Sequence, residues 1–169
     1  LMWQGNHQLS NTVFLEQLKI EKKNSNENGI INVLANIGIN YYYKGDYKKA
    51  LENFNLAIDQ SGKEKLVNVI EILTFKHLAN RELGFSEDDN FLRDYINKKM
   101  EAESNWFISK PEYINWALYE YFGEDKYIIE AKRQLDLVLD NVDPDKLKNL
   151  PSYSAYQMIL DSYNSMQNL

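Results

Sequence analysis

Two histidines, His7 and His77, are the only imidazoles in a chain of 169 residues that has no cysteine. Neither histidine has a second histidine or a carboxylate at metal-ligand spacing, so no metal site is expected. Without cysteine there is no disulfide, no thiolate zinc site and no cysteine nucleophile. The acidic run Glu87-Asp88-Asp89 suits the positive end of a helix dipole. Asp143-Pro144-Asp145 lacks the glycine and the distal glutamate of a calcium loop. There is no glycine-rich phosphate loop and no nucleophile elbow, so neither catalytic residues nor a cofactor are expected. What remains is recognition chemistry. Side-chain amides pair with a peptide backbone whatever its sequence, and Asn32, Asn36 and Asn40 stand four residues apart. Tyr41-Tyr42-Tyr43 and the group Trp106, Tyr113 and Trp116 supply aromatic surface. Such rings favour a core, and they serve a ligand only where an edge stays exposed beside polar groups.

Glycines punctuate the elements that must position these residues. Gly5, Gly45, Gly84 and Gly123 are separated by 40, 39 and 39 residues, and each follows an apolar stretch and precedes a polar turn. Glycine suits such a place because it takes the left-handed backbone that ends one helix before the next begins. Between them the apolar residues follow the helical period. Val13, Phe14, Leu18 and Ile20 mark a helix that stops in the polar stretch 22–29. Asp46 can cap a helix carrying Ala50, Leu51, Phe54, Ala57 and Ile58, and Ser86 with Asp89 resembles a capping box ahead of Phe91, Tyr95 and Ile96. Asp125 can cap a helix through Ile128, Ala131, Leu135, Val138 and Leu139, ending by Asp143-Pro144. Residues 30–43, 66–83 and 111–122 supply the first helices of three hairpins, and 152–166 forms a last helix with no partner in this chain.

Hydrophobic side chains make up 44% of the chain and aromatics 13%, which is enough to bury a core. Nineteen lysines and arginines against 25 acids give a net charge of −6, which repels phosphate backbones and anionic lipid. Direct nucleic-acid binding is therefore not expected, and a neutral or basic partner is. No window approaches the roughly 18 apolar residues of a membrane span, and no signal segment opens the sequence. A soluble segment is expected, in the cytoplasm by preference and with the periplasm as the alternative. Leu1-Met2-Trp3-Gln4-Gly5 reads as the last turn of a helix, which points to a piece of a longer protein.

Leu34-Ala35-Asn36-Ile37-Gly38-Ile39-Asn40-Tyr41, Gly45-Asp46-Tyr47, then Ala50, Phe54 and Ala57 together resemble a tetratricopeptide repeat. Leu34 stands in the tryptophan slot, Ile37 in the leucine slot, and Gly38 and Tyr41 in their own. Gly38 and Ala50 are small where two helices cross closely, while Tyr41 and Phe54 fill the space around them. Gly62 replaces the closing proline. The period near 39 is similar to the longer variety found in kinesin light chains and in many bacterial sensor regulators.

The resemblance implies an all-α fold, a tetratricopeptide-like α-solenoid of antiparallel helical hairpins with an unpaired C-terminal helix. It implies one repeat domain over 1–169: a partial repeat over 1–28, the best match over 29–64, degenerate repeats over 65–105 and 106–149, and a terminal helix over 150–169. In the family, first helices line a concave groove that takes an extended or helical peptide. Alignment on Gly38 puts Asn32, Asn36, Ile39 and Tyr43 on the groove side, and the fourth repeat offers Tyr113 and Trp116. Asn36 lies where peptide-gripping members carry asparagine. The basic residues that hold a terminal carboxylate in chaperone-binding members are missing, so that cargo is not expected. The implied function is non-catalytic protein or peptide binding, as the sensor or scaffold segment of a larger bacterial signalling regulator. The alternative is an accessory helical domain that frames an enzyme's active site, which needs two convergent ionisable groups in a deep pocket.

Overall fold

Three of the four spaced glycines take the left-handed backbone their position requires, with φ of +78° at Gly45, +79° at Gly84 and +67° at Gly123. The computed structural model describes residues 6–61, 69–86, 88–101, 111–143 and 153–168, so the expected turn at Gly5 lies outside the described residues. Among them there are eight helices and no strand: α1 His7–Lys23, α2 Glu27–Tyr43, α3 Tyr47–Ser61, α4 Val69–Glu82, α5 Asn90–Glu101, α6 Pro111–Phe122, α7 Asp125–Leu139 and α8 Tyr153–Gln167. The fold is all-α. The chain divides into two compact units, Asn6–Trp106 and Phe107–Leu169.

In the first unit, α2 ends in a Schellman motif. Gly45 donates its N–H to the Tyr42 carbonyl at 2.9 Å, and Asp46 donates to the Tyr41 carbonyl at 3.0 Å. Gly84 and Phe85 repeat the pair of bonds to Arg81 and Asn80 at the end of α4. The turn between α1 and α2 uses the same geometry without a glycine: Ser25 has φ of +52°, and Ser25 and Asn26 donate to Lys22 and Glu21. The polar stretch 22–29 is therefore not one long break. Asn26 accepts from Gly29 N–H at 3.1 Å, and α2 already starts at Glu27.

Helix α2 is the centre of this unit and packs against α1, α3 and α4. Its crossing with α3 is set by Gly38, where an added Cβ would lie 2.5 Å from the Phe54 ring. Phe54, Ala50 and Ala57 are fully buried, so the ring has no room to retreat. Asp46 caps α3 as expected, accepting from Lys49 N–H at 3.4 Å and pairing with the Lys49 ammonium at 2.7 Å. The expected cap at Ser86 is displaced. Asp88 accepts from Asn90 N–H and Asp89 pairs with Arg93, so α5 opens at Asn90. Leu92 and Ile96 enter the core while Phe91 stays exposed.

In the second unit, Phe122 stacks on Tyr127 across the Gly123 turn, with ring centroids 5.7 Å apart. Asp125 does not cap α7. The cap position is Glu124, whose carboxylate is engaged by Lys126 at 2.6 Å, and Asp125 sits inside the first turn, where its charge favours the dipole. The expectation of an unpaired last helix is wrong: α8 packs on both α6 and α7. Ala155, Tyr156 and Ile159 are buried, and the Lys132 ammonium stands 5.6 Å from the centre of the Tyr163 ring. An amphipathic helix takes the nearest apolar face available, and the α6–α7 hairpin offers one.

Gly38→Leu should cost on the order of 1–3 kcal/mol or more, because overpacking must separate α2 from α3. Gly45→Ala, which meets nothing within 4 Å, should cost about 1–2 kcal/mol through its left-handed backbone alone. Gly38→Leu should be the less stable of the two in urea denaturation, because it adds a clash to the loss of glycine, and a Gly38→Leu variant as stable as wild type would refute the close crossing. The Lys49 side chain holds the Asp46 carboxyl below the usual carboxylate range, and Asp46 in turn raises the Lys49 ammonium. A depressed carboxylate adds stability above its unfolded pKa and loses it as pH falls through the folded value; the raised ammonium loses its share as pH rises through its own. NMR titration should find Asp46 as a low-titrating carboxylate in the wild type and shifted up toward its ordinary value in Lys49→Ala, where the backbone N–H of residue 49 and the Lys44 charge still hold it down in part.

Candidate functional site

Positions 32, 36, 39 and 43 recur at spacings of four, three and four, so they share one stripe of α2. The structure gives the four residues different fates. Ile39 is 1% exposed and is part of the core. Asn32, Asn36 and Tyr43 are half-buried. The Asn36 amide has no hydrogen-bond partner among the described residues and keeps its contact with solvent. Tyr43 leans on Tyr42 and Phe75, at centroid distances of 5.5 and 6.1 Å. Tyr42 also meets Tyr47 and Phe75. The rings thus tie the end of α2 to α3 and α4, and part of Tyr43 remains at the surface.

Tyr41 is half-buried rather than sealed in the core, with the Lys49 ammonium 5.4 Å from its ring centre. Tyr113 and Trp116 belong to the second unit and are 2% and 7% exposed. Their rings stack at 5.7 Å and 17°. The Trp116 indole N–H donates to Ser162 Oγ at 3.1 Å, and Ser162 in turn donates to Glu120 at 3.4 Å. The two aromatics are therefore core residues, Trp116 tied to α8 through Ser162, and not groove lining. Trp106 lies outside the described residues.

The polar centre that holds α2 in place is Asn40, which is fully buried. Asn40 Nδ2 donates to the His7 carbonyl at 2.9 Å and to Asn11 Oδ1 at 2.6 Å. A carbonyl only accepts, so this contact fixes the amide orientation. Asn40 Oδ1 must then face His7 Nδ1 at 2.8 Å, and that ring nitrogen carries the proton. Sequence reasoning treated Asn40 as a neighbour of Asn36 and His7 as an isolated histidine. The available signal was an amide in an otherwise apolar helix, but nothing in the sequence pairs it with residues 29 and 33 positions earlier.

The other charged contacts lie on helix surfaces. Arg133 holds the Glu130 carboxyl below its usual range, with Gln134 also donating to it. Lys132 grips both oxygens of Asp136 at 2.7 Å. Among the described residues no group of three His, Cys, Asp or Glu is placed to hold a metal, and no helix is long and apolar enough to cross a membrane. The arrangement offers amides and a ring edge, which suit hydrogen bonding and apolar contact.

Asn40→Ala should destabilise the first unit by about 1–3 kcal/mol, because it strips partners from Asn11 and His7 in a closed site. Chemical denaturation measures this, and hydrogen exchange should show the extra opening concentrated in α1. No family model, no curated protein and no solved structure matches this chain.

Proposed function

We propose that the unit Asn6–Trp106 is a non-catalytic binding module that takes a protein or peptide segment along the α2 stripe. The observation that carries this is Asn36, a half-buried amide with no partner among the described residues, standing between Asn32 and the partly exposed Tyr43. The amides would hold backbone groups of the bound segment, and Tyr43 would cover an apolar side chain. Helical hairpins, left-handed turns and the Gly38–Phe54 crossing support reading the chain as tetratricopeptide-like. On that reading it is the sensor or scaffold segment of a larger bacterial signalling regulator. With a net charge of −6, the favoured partner is neutral or basic, and its association slows as salt screens the attraction.

The test takes a partner recovered with the protein and compares wild type with Asn36→Ala and with Asn36→Ala plus Tyr43→Ala by calorimetry. The double variant should lose roughly 2–4 kcal/mol of binding free energy. Circular dichroism separates this from unfolding, since Tyr43 also packs on Phe75. Equal binding by a folded double variant would refute the stripe as the site.

A further inference from the structure

We propose that Asn28–Gly29 is a site of self-modification, where the chain converts its own amide to aspartate or isoaspartate. Of the 20 asparagines only Asn28 precedes glycine; Asn24 and Asn164 precede serine, and the rest precede bulkier residues. Glycine leaves its amide nitrogen unhindered, and the Asn28 side chain is exposed to water. The step begins when Gly29 N–H loses its proton and the nitrogen attacks Asn28 Cγ. A new C–N bond closes a five-membered imide, the Cγ–Nδ2 bond breaks, and Nδ2 leaves as ammonia. Water then opens the ring. Attack at Cγ gives aspartate, and attack at the main-chain carbonyl gives isoaspartate, with the backbone running through the former side chain. The sum is amide plus water to acid plus ammonia, and no other reactant is needed.

The turn between α1 and α2 guards this dipeptide. A Cβ at position 29 would lie 2.6 Å from Asn26 Nδ2 and would meet the Glu21 carboxylate, so a side chain there would have to displace both cap groups. The same Asn26 accepts the Gly29 N–H through Oδ1 at 3.1 Å and donates Nδ2 to Glu21 at 2.7 Å. The reacting nitrogen is thus held by the cap. Reaction proceeds from the opened turn, and its rate follows how often the cap lets go. Aspartate at 28 adds a negative charge where the α2 dipole favours one. Isoaspartate adds a carbon to the backbone and cannot rebuild the first turn, one helical turn before Asn32.

The experiment incubates the full chain at mildly alkaline pH and follows each asparagine by peptide mapping, with isoaspartyl methyltransferase to mark isoaspartate. Acid and isoaspartate should appear first at Asn28 and be absent there in Asn28→Gln. Asn26→Ala should speed the reaction roughly fivefold, the change expected when a side-chain cap is lost, while Asn26→Ser keeps an acceptor and stays near wild type. If Asn26→Ala fails to fold, wild type in urea below its unfolding transition gives the same acceleration. Acid appearing first at Asn24 or Asn164, or rates unchanged when the cap is removed, would overturn the proposal.

Discussion

The first unit depends on the absence of a side chain at Gly38. Because nothing stands between its backbone and the Phe54 ring, α3 approaches α2 closely enough for Ala50, Phe54 and Ala57 all to be sealed. The cost of glycine inside a helix, up to about 1 kcal/mol, is outweighed by what that approach buries. Nine of the seventeen residues of α2 are buried, on every side of the helix, since α1, α3 and α4 all lean on it. In a helix surrounded in this way the positions left for contact with anything else are its first turn, Asn32, Asn36 and the tyrosines at its end.

Asn40 supplies what apolar packing cannot, which is register. Oily surfaces slide over one another at little cost, whereas a buried amide that meets His7 and Asn11 does so in only one alignment of α1 against α2. A shift by one turn would leave the amide without partners in a dry site, at a cost of about 1–3 kcal/mol. Helix α1 needs such a lock because its apolar residues do not all point inward: Leu9, Val13, Leu15 and Ile20 are about half exposed.

The residues that ended helices were readable because their chemistry is local. A glycine after an apolar stretch and before a polar one implies a left-handed cap, and Gly45, Gly84 and Gly123 have it. Ser25 carries the same geometry with a residue whose type does not announce it, so the sequence places the α1–α2 turn only within 22–29. The choice between Ser86 and Asp89 as a cap depends on which turn closes first, and neighbouring acids all offer an acceptor. Long-range facts were not legible. Nothing in Tyr113, Trp116 or Ser162 alone shows that an indole donates across 46 positions to a serine on the last helix. The ring types alone favour a core for this pair while the repeat alignment puts it on the groove, and it is core; α8, expected to be unpaired, is tied to Trp116.

Asn36 and Asn40 show how context divides one residue type into two roles. Both sit on α2 one turn apart, and the backbone presents their amides in nearly the same direction. Helix α1 closes over Asn40 with a carbonyl, an amide oxygen and a ring nitrogen, so its hydrogen bonds stabilise the fold. No described residue hydrogen-bonds the half-buried Asn36 amide, which keeps its contact with solvent. Exchanging water for a ligand's backbone returns only about 0.5–1.5 kcal/mol per bond. An amide of this kind therefore sets the alignment of a bound segment more than its affinity. Affinity has to come from apolar area, and on this stripe that means the part of Tyr43 left uncovered by Tyr42 and Phe75. A partner fitted to this surface would present backbone groups to Asn32 and Asn36 and an apolar side chain two turns further on, to Tyr43.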